Sequence, residues 1–363
     1  MSEKQKVLVA MSGGVDSSVT AALLIQEGYE VSGVYLFPWH ASSLGFSGGE
    51  DAQKAFQSGR EAAERLGISL EPLFLQDEFL QRVIGYFVEG YRAGKTPNPC
   101  YMCNKIFKWH EFVKHADAIG CQWIASGHYA ILERNESGKT RLFQAVDDTK
   151  DQSYVLSCLD QSVLQRALLP LGQYKKSEVR ELAASFGLQN AERSDSQDMC
   201  FIRNDEHKAF VKQMMGEVSG RQGSIENLQG DVLGVHQGLE NYTYGQRKGI
   251  RVSSPTPIYV LDKDVAENRL IVGSIQEGEQ VGLLAHAMHW ILDESPGMQF
   301  EAQVKIRYQS MAIPATITIG DKELVEIIFH KPVHGITPGQ FAVLYQGREV
   351  IGAGEILRRI STL

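Results

Sequence analysis

The sequence predicts a mixed α/β protein of three domains: a parallel sheet between helices, a small central linking domain, and an antiparallel β-barrel at the C-terminal end. Its 363 residues exceed the roughly 100 to 200 residues of one ordinary domain. Up to residue 188, short apolar runs alternate with amphipathic helical segments, which is the pattern of a parallel sheet covered by helices on both faces. Beyond about residue 205, glycine-rich turns separate short alternating segments, which are typical of antiparallel strands.

Each element of the first domain, which we place at residues 1–204, is predicted from its hydrophobic period. Its strands are expected at 7–11, 31–37, 70–75 and within 121–129. Its helices are expected at 19–28, 50–66, 105–119 and 175–188. The first helix is expected to end at Gly28, because glycine readily adopts the backbone conformation of a helix C-terminus.

The other two domains are predicted from the change in sequence pattern near residue 205, where short alternating segments replace the apolar runs and helices. The central domain, at 205–278, opens with a helix in HKAFVKQMMG, and the barrel occupies 279–363. The alternating segments expected to form strands are PIYVLDKD, RLIVGS, EAQVKIRY, ATITIG and QFAVLYQG. Such short alternating runs favour antiparallel pairing.

The composition, with 43% hydrophobic and 22% charged residues, is that of a soluble globular protein. No apolar run approaches the roughly 20 residues that a membrane span needs, and we expect a cytoplasmic monomer with no membrane association. The net charge of −8 gives no support for a nucleic-acid partner, although a local patch can bind phosphates on an acidic protein. Five scattered cysteines favour metal binding or catalysis over a disulfide framework.

The segment SGGVDSS, residues 12–18, joins the first strand to the first helix and is a candidate phosphate-binding loop. Backbone N–H groups and the dipole at a helix N-terminus bind anions, and Gly13 and Gly14 allow a close approach. Asp16 is placed to hold Mg²⁺ against the phosphates. The segment matches neither GxxxxGK[ST] nor GxGxxG. A tight turn with serine as helix cap is the alternative interpretation.

Three cysteines are candidates for thiol chemistry. Cys100 and Cys103 lie in TPNPCYMCNK. Cys200 lies in SDSQDMCFI, a polar loop that leads into apolar residues. Cys121 and Cys158 stand in apolar surroundings and are expected to be inert buried thiols.

Cys103 is expected to be the most acidic of these thiols. Asn104 follows it and would cap a helix that carries Lys105 and Lys108 in its first turns. Both the helix dipole and these charges would favour the thiolate.

The glycine loop resembles the PP-loop of the ATP pyrophosphatases, whose adenine nucleotide alpha hydrolase-like domain cleaves ATP to AMP and pyrophosphate while adenylating a carbonyl oxygen. With the paired cysteines after TPNP and the distant SDSQDMCF, the sequence closely resembles the tRNA-specific 2-thiouridylases. The segments SGHYA, KDQSYVL, LGQYKKSEVR, YTYGQRKGI and TPGQFAVLYQG extend the resemblance over nearly the whole chain.

This resemblance implies a sulfurtransferase that converts the wobble uridine (U34) of tRNA to 2-thiouridine. ATP, with Mg²⁺, would adenylate the base at its C2 oxygen. A persulfide on Cys200, delivered by a sulfur-carrier protein or a cysteine desulfurase, would supply sulfur to C2 as AMP leaves. Cys103 would act as the nucleophile that attacks or resolves the persulfide, leaving a transient Cys103–Cys200 disulfide.

The resemblance also implies roles for single positions. The residues implied for ATP binding are Ala10, Met11, Ser12, Gly13, Gly14, Val15, Asp16, Ser17, Leu36 and Gly127. The residues implied for the target base are Asn98, Pro99 and Cys100. The residues implied for tRNA contacts are His128, Lys150, Asp151, Gln152, Arg307, Tyr308 and Gln340.

Cys100 departs from the family pattern, because many members have Asp there and a thiol does not replace a carboxylate in acid–base chemistry. Two interpretations stay open: a passive residue of the base loop, or a ligand, with Cys103 and Cys200, of a [4Fe–4S] cluster. Structural zinc is less favoured, because a fourth ligand is missing. Persulfide chemistry without a cluster is the preferred interpretation.

Two other functions are compatible with the glycine loop. One is a different PP-loop ligase that adds an amine to an adenylated carbonyl, although such an enzyme needs no cysteine pair. The other is a non-catalytic RNA-binding or metal-binding protein. In that case we expect a degraded loop, whereas Ser12, Asp16 and Ser17 are intact.

Overall fold

The computed structural model describes residues 4–37, 48–188, 199–202, 206–216, 219–321 and 324–361. Its strands are β1 Lys6–Ala10, β2 Glu30–Phe37, β3 Leu70–Phe74, β4 Trp123–Ser126, β5 Ala130–Arg134, β6 Thr140–Gln144, β7 Ala167–Leu168, β8 Gly223–Glu226, β9 Val232–His236, β10 Tyr259–Asp264, β11 Arg269–Gly273, β12 Gln280–Trp290, β13 Gln299–Lys305, β14 Ile313–Ile319, β15 Val325–Val333, β16 Phe341–Gln346 and β17 Glu349–Ile360. Its α-helices are α1 Val15–Gln26, α2 Gly48–Leu66, α3 Gln76–Phe79, α4 Gly85–Arg92, α5 Pro99–Cys103, α6 Trp109–Ala118, α7 Ser153–Leu156, α8 Gln161–Leu164, α9 Lys176–Ser185 and α10 His207–Met215. The π-helical segments Leu80–Ile84 and Asn104–Lys108 join α3 to α4 and α5 to α6, and 3₁₀ turns lie at Pro170–Gln173 and Leu239–Asn241.

The first domain is built on a five-stranded parallel sheet in the order β3-β2-β1-β4-β7. The central strand β1 is buried on both faces: Val7 and Val9 belong to one hydrophobic core and Leu8 to the other. Helices α1, α2 and α9 cover the first face, and α6 covers the second. An apolar strand between two helical layers is the parallel-sheet arrangement that the sequence predicts. The predicted fold class is confirmed for this domain.

The central domain contains a four-stranded sheet in the order β10-β11-β8-β9, in which β8 and β11 run parallel and the other neighbours antiparallel. A small core around Ile225, Val260 and Leu270 supports it. The C-terminal domain is a closed six-stranded antiparallel barrel, because β12 pairs with both β15 and β17. The predicted barrel is therefore confirmed.

The hairpin β5–β6 belongs to the first domain in sequence but extends the barrel sheet by pairing with β17. Arg141 of β6 donates two hydrogen bonds to the carboxylate of Glu349 in β17. Tyr101 stacks on Phe341 with ring centroids 3.6 Å apart, and the Tyr154 hydroxyl donates to the Phe341 carbonyl at 2.9 Å. Strand pairing and apolar packing thus attach the barrel to the first domain.

The helix that contains the paired cysteines differs from the sequence-based prediction. It was expected to start at Lys105, but α5, a π-helical segment and α6 form one helical run that starts at Pro99. The Asn98 side chain caps this run by accepting a hydrogen bond from the Tyr101 N–H at 3.0 Å. Asparagine as N-cap and proline in the first turn are a favoured helix start. Within the described ranges, no helix is long and apolar enough to cross a membrane.

Candidate active site

The glycine loop lies between β1 and α1, and glycine is required there by close backbone contacts. Gly13 has a φ of +75°, and a Cβ atom built on it would lie 1.9 Å from the carbonyl oxygen of Ala55 in α2. A Cβ atom on Gly127, after β4, would lie 2.8 Å from the backbone nitrogen of Ser17. Glycine at both positions lets α2 and the β4 turn pack directly on the loop.

The first turn of α1 presents backbone donors. Gly14 is the N-cap residue, and no described side chain forms a cap hydrogen bond there. The Ser17 hydroxyl instead donates to the Gly14 carbonyl and accepts from the Ser12 N–H, both at 3.1 Å. Uncapped N–H groups at a helix N-terminus, together with the helix dipole, form a phosphate-binding site. The triphosphate of ATP fits this donor set.

Asp16, in the same turn, is bound by two residues that are not among the predicted site residues, Lys176 and Tyr129. Lys176, at the start of α9, places Nζ 2.7 Å from both carboxylate oxygens of Asp16, and the Tyr129 hydroxyl donates to Oδ1 at 2.8 Å. Only 9% of the Lys176 side chain is exposed. Lys176 lies in LGQYKKSEVR and Tyr129 in SGHYA, two segments that carry the family resemblance. That resemblance was the sequence signal from which both residues could have been found. Lys176 adds a cation to the phosphate-binding loop.

The remaining residues implied for ATP binding surround this loop. Ala10 ends β1, and the N–H of Met11 donates to the Val34 carbonyl of β2 at 2.9 Å. Leu36 is partly buried near the end of β2. With Gly127 after β4, these residues lie at the carboxyl ends of three neighbouring parallel strands, where open α/β sheets bind ligands.

The prediction that Cys103 stands just before a helix capped by Asn104 is wrong. Asn104 is not a helix N-cap: it is buried within the helical run, and its side-chain amide donates to the Val155 carbonyl at 2.9 Å. Because the helix begins at Pro99, Cys100 lies in its first turn and Cys103 at the end of α5. The helix dipole therefore favours an anion at Cys100 more than at Cys103.

Desolvation dominates the titration of all three candidate thiols. Cys100 and Cys200 keep solvent-exposed surface and Cys103 is half-buried. The surrounding protein nevertheless raises the pKa of each thiol, that of Cys103 to about 11, while the positive charge of Lys108 acts in the opposite direction on all three. The expectation of an acidic Cys103 is wrong for this state, in which desolvation outweighs the nearby charge.

Cys200 reaches the cysteine helix from a distant part of the chain. Met199, Phe201 and Ile202, the residues around Cys200, pack in the same hydrophobic core as Cys103. The neighbouring Phe201 is buried against Phe79, with ring centroids 5.7 Å apart, and this contact anchors the segment. The residues before Met199 in SDSQDMCFI lie outside the described ranges.

The three thiols do not fit an iron–sulfur cluster as they stand. Among the residues that the structure describes, no three His, Cys, Asp or Glu side chains converge closely enough to hold a metal ion. Cluster ligation needs thiolates around one centre, and the described positions of Cys100, Cys103 and Cys200 do not provide such a centre. Mg²⁺ requires less, because it is commonly held by one or two carboxylates and substrate phosphates. Asp16 lies beside the phosphate loop, but both of its carboxylate oxygens accept from Lys176, so it would hold Mg²⁺ only after releasing that ammonium.

His128, implied as a tRNA contact, lies beside the cysteine helix. Its Nε2 atom is 3.4 Å from Lys108 Nζ, and its Nδ1 atom is 2.7 Å from the Ser126 hydroxyl. The imidazole is therefore engaged at both nitrogens with protein groups.

Asp151 and Gln152, also implied as tRNA contacts, are used inside the protein. The Asp151 carboxylate accepts from the N–H and the hydroxyl of Ser153, and Lys305 of the barrel lies 3.4 Å away. Gln152 Oε1 accepts from the N–H of Tyr129 at 2.9 Å. Gln152 therefore supports Tyr129, the residue that binds Asp16, and Asp151 contacts the barrel through Lys305. The neighbouring Lys150 is partly exposed.

Two barrel residues implied for tRNA lie at the base loop. Gln340 Nε2 donates to the Thr96 carbonyl at 2.7 Å, just before the residues implied for the target base. Tyr308 packs edge-to-face on Tyr154 at a centroid distance of 6.0 Å. Burial, followed by the charges of Asp151 and Cys100, raises the pKa of Tyr308.

Arg307 has a different position from these two residues. Its guanidinium donates to the Tyr244 carbonyl at 2.9 Å and to the Thr337 hydroxyl at 2.5 Å. Tyr244 belongs to the central domain and Thr337 to the barrel. The described contacts of Arg307 thus join these two domains.

Three family profiles match consecutive parts of the chain. Residues 5–204 match the tRNA methyl transferase HUP domain, residues 208–274 the tRNA methyl transferase PRC-barrel domain, and residues 280–356 the aminomethyltransferase beta-barrel domain. The first of these alone covers more than half of the chain.

Full-length relatives are similar over nearly the whole sequence. The tRNA-specific 2-thiouridylase MnmA of Carboxydothermus hydrogenoformans is 42% identical, with 98% of this chain and 99% of that protein aligned. The protein of the same name from Desulfitobacterium hafniense is 41% identical, with 98% and 99% aligned. A solved 4-thiouridine synthetase–RNA complex with bound ATP aligns with a TM-score of 0.33 and 19% identity over 58% of this chain and 50% of that one, a likeness too weak to support an inference.

Proposed function

Since the chain belongs to the tRNA-specific 2-thiouridylase family, it is an ATP-dependent tRNA sulfurtransferase, and we propose that it thiolates C2 of the wobble uridine (U34) through a persulfide on Cys200. The observation that carries this proposal is that Phe201 and Ile202, which follow Cys200, pack in the same hydrophobic core as Cys103, in the domain that contains the phosphate loop. Adenylation and sulfur transfer need these two sites within reach of one base.

Adenylation makes the base carbonyl displaceable. The C2 oxygen of uridine attacks the α-phosphorus of ATP, a P–O bond breaks, and pyrophosphate leaves. Backbone donors of α1 and the Lys176 ammonium are suited to bind the phosphates, since the dipole and the cation both favour anions. When ATP binds, Asp16 would exchange the Lys176 ammonium for Mg²⁺, which supplies charge neutralisation to the phosphates, and Lys176 would then be free to bind them.

Sulfur transfer then replaces AMP at C2 by one of two routes. In the first, the Cys103 thiolate attacks the Cys200 sulfur of the persulfide, a Cys103–Cys200 disulfide forms, and the released hydrosulfide attacks C2. In the second, the outer persulfide sulfur attacks C2, and Cys103 then attacks Cys200 to release 2-thiouridine. Both routes leave the same disulfide, and an external thiol reduces it before the next cycle.

The site residues are proposed with this reaction. The proposed ATP-binding residues are Ala10, Met11, Ser12, Gly13, Gly14, Val15, Asp16, Ser17, Leu36 and Gly127, and the proposed base-loop residues are Asn98, Pro99 and Cys100. The proposed tRNA contacts are His128, Lys150, Asp151, Gln152, Arg307, Tyr308 and Gln340. For Asp151 the backbone is the better candidate contact, because its carboxylate is already saturated and would repel phosphate.

The proposed domain boundaries are 1–204, 205–278 and 279–363, and the ranges of the three family profiles support them. A sulfur-carrier protein or cysteine desulfurase is the proposed persulfide donor, because the chain must receive its sulfur from another molecule. We propose that the protein acts as a cytoplasmic monomer.

The test is nucleoside mass spectrometry of tRNA after incubation with ATP, Mg²⁺, a cysteine desulfurase with cysteine as persulfide donor, and dithiothreitol to reduce the disulfide. Cys103→Ser and Cys200→Ser should each abolish 2-thiouridine formation, and Cys200→Ser should retain ATP-dependent activation of the tRNA. Cys121→Ser, at a buried thiol outside the site, is the matched control and should keep activity. Normal thiolation by both site variants would overturn the proposal.

A further inference from the structure

Residues 94–97 connect helix α4 to the residues implied for the target base, and we call them the stem of the base loop. The Lys95 N–H donates to the Gly90 carbonyl of α4 at 2.9 Å, and the chain then leaves the helix. Asn98, directly after the stem, caps the helical run that contains the cysteines. A shift of the stem would therefore move both the base loop and the start of that run.

The barrel binds the stem through backbone and side-chain hydrogen bonds. The Thr96 N–H donates to the Pro338 carbonyl at 3.0 Å, and Gln340 Nε2 donates to the Thr96 carbonyl at 2.7 Å. Gly339, between these two barrel residues, has a φ of +88°, and a Cβ atom built on it would lie 3.0 Å from Lys95 Cβ. The stem and this barrel segment thus lie in direct backbone contact.

A charge pair fixes the stem at the same place. Lys95 Nζ lies 2.7 Å from Glu355 Oε1, and the two side chains are 32% and 15% exposed. Glu355 lies in β17, opposite His286 of β12 and Phe341 of β16, so paired strands support it on both sides. His286 Nε2 lies 3.9 Å from its other carboxylate oxygen. Because the pair is only partly exposed, solvent and salt screen it less than an ion pair at the surface.

The central domain also contacts the stem. Gly94 has a φ of +71°, and a Cβ atom built on it would lie 2.3 Å from Val265 Cγ2. Lys263 is buried, and its Nζ atom lies 3.5 Å from the Lys95 carbonyl oxygen. The same ammonium lies 5.2 Å from the centroid of the Tyr244 ring. The stem is therefore the place where the three domains meet.

We propose that Lys95 is a positioning residue: through Glu355 it holds the base loop, and the uridine bound there, in place for reaction with ATP and then with sulfur. The proposal rests on the proposed thiolation reaction, in which one base must reach both sites. Lys95 contacts no reacting atom and takes no proton in either step. A misplacement of about 1 Å costs about 100-fold in rate in unfavourable cases, so loss of the pair should slow the bound complex.

A direct contact between Lys95 and an RNA phosphate is the competing explanation, because lysine commonly binds phosphate. The two explanations differ in the effect of Glu355. If Lys95 bound a phosphate, Glu355 would compete with the RNA, and its removal would strengthen tRNA binding. If the pair positions the loop, removal of either partner slows the reaction and leaves tRNA binding nearly unchanged.

The experiment measures single-turnover formation of 2-thiouridine by the full chain at saturating tRNA, with the components of the nucleoside assay, and the Kd for tRNA. Lys95→Met and Glu355→Gln should each lower the rate about tenfold and change the Kd less than about twofold. The double variant should be no slower than either single variant, because both remove one interaction. Lys95→Arg should keep most of the rate, and Lys95→Gln is a second neutral variant if the methionine variant does not fold.

Limited proteolysis without tRNA and ATP reports on the stem directly. Both neutral variants should be cut more rapidly near residues 94–98 and at the wild-type rate elsewhere. Arg92→Met is the matched control, because Arg92 lies in α4 just before the stem and forms an exposed ion pair with Glu89. It should change neither the rate nor the cutting.

Unchanged single-turnover rates in Lys95→Met and Glu355→Gln, tighter tRNA binding by Glu355→Gln, or an equal loss in Arg92→Met would overturn the proposal. Failure of the thiolation proposal would appear separately: the wild-type chain would then form no 2-thiouridine, while the proteolysis would still report on the pair.

Discussion

The ammonium of Lys176 lies 2.7 Å from both carboxylate oxygens of Asp16, and this pair joins the phosphate loop to helix α9. Tyr129 completes the contact through its hydroxyl. The loop is therefore held by residues from two other segments of the first domain. Its shape depends on a charge pair that contributes to both stability and ligand binding.

Replacing Lys176 by Met should lower the free energy of unfolding by about 1–3 kcal/mol, because a partly buried carboxylate loses its cation. ATP affinity, measured by calorimetry, should fall about tenfold or more. Lys175→Met, at the exposed neighbour, is the control and should change neither quantity much. In Asp16→Asn/Lys176→Met, the stability loss should be smaller than the sum of the single losses; additive losses would contradict a direct interaction.

Gly13→Ala should destabilise the protein by more than about 2 kcal/mol, since the left-handed backbone alone costs about 1–2 kcal/mol and the new methyl group would overlap the Ala55 carbonyl. ATP binding should be lost with it. Gly28→Ala is the matched control: its φ is +92°, but nothing lies within 4 Å of the new Cβ atom. Urea unfolding should show the smaller, conformational cost alone, with ATP affinity unchanged. Equal losses in the two variants would argue against the steric contact.

The alkylation rate of Cys103 should increase about tenfold per pH unit from pH 7 to about pH 10, because its pKa is raised to about 11 by burial. The sign follows from the charged form: desolvation disfavours the thiolate, so the reactive fraction is small at neutral pH and grows as pH rises. Stopped-flow alkylation followed by peptide mapping checks this. A rate that levels off below pH 8 would show that the thiol is acidic.

Gln340→Ala should weaken the attachment of the base loop to the barrel. The change removes the hydrogen bond to the Thr96 carbonyl and should cost about 0.5–1.5 kcal/mol of stability. Limited proteolysis should cut near residues 94–98 more rapidly, and the KM for tRNA should increase. Gln299→Ala, which removes an exposed barrel bond to Thr318, is the control for loss of a glutamine side chain. Unchanged proteolysis in Gln340→Ala would contradict this role.

The fold was largely predictable because its signals are local. Buried strands such as Lys6–Ala10 are apolar runs, and Gly28 follows the first helix with a φ of +92°. The hairpin β5–β6 was not predicted as part of the barrel, because its partner strand β17 lies at the other end of the chain. Pairing between such distant segments leaves no trace in local periodicity.

The site was predictable in its residue types but less so in its electrostatics. The glycine loop and the thiols are motif residues, and motifs are visible in the sequence. The pKa of Cys103 was misjudged, because asparagine at two positions is a plausible cap and the structure uses Asn98 rather than Asn104. The burial that raises this pKa arises from packing of distant segments, including Phe201. Lys176 became recognisable only through its contact with Asp16.

The pairing of β6 with β17 means that the first domain and the barrel share one continuous sheet. At this contact Glu349 pairs with Phe143 and Val350 with Leu142, so backbone pairing restrains the barrel relative to the first domain. A tRNA bound across both parts would meet a template of fixed length. The conformational change that brings the uridine to the cysteines would then occur in the RNA, by opening of its anticodon loop.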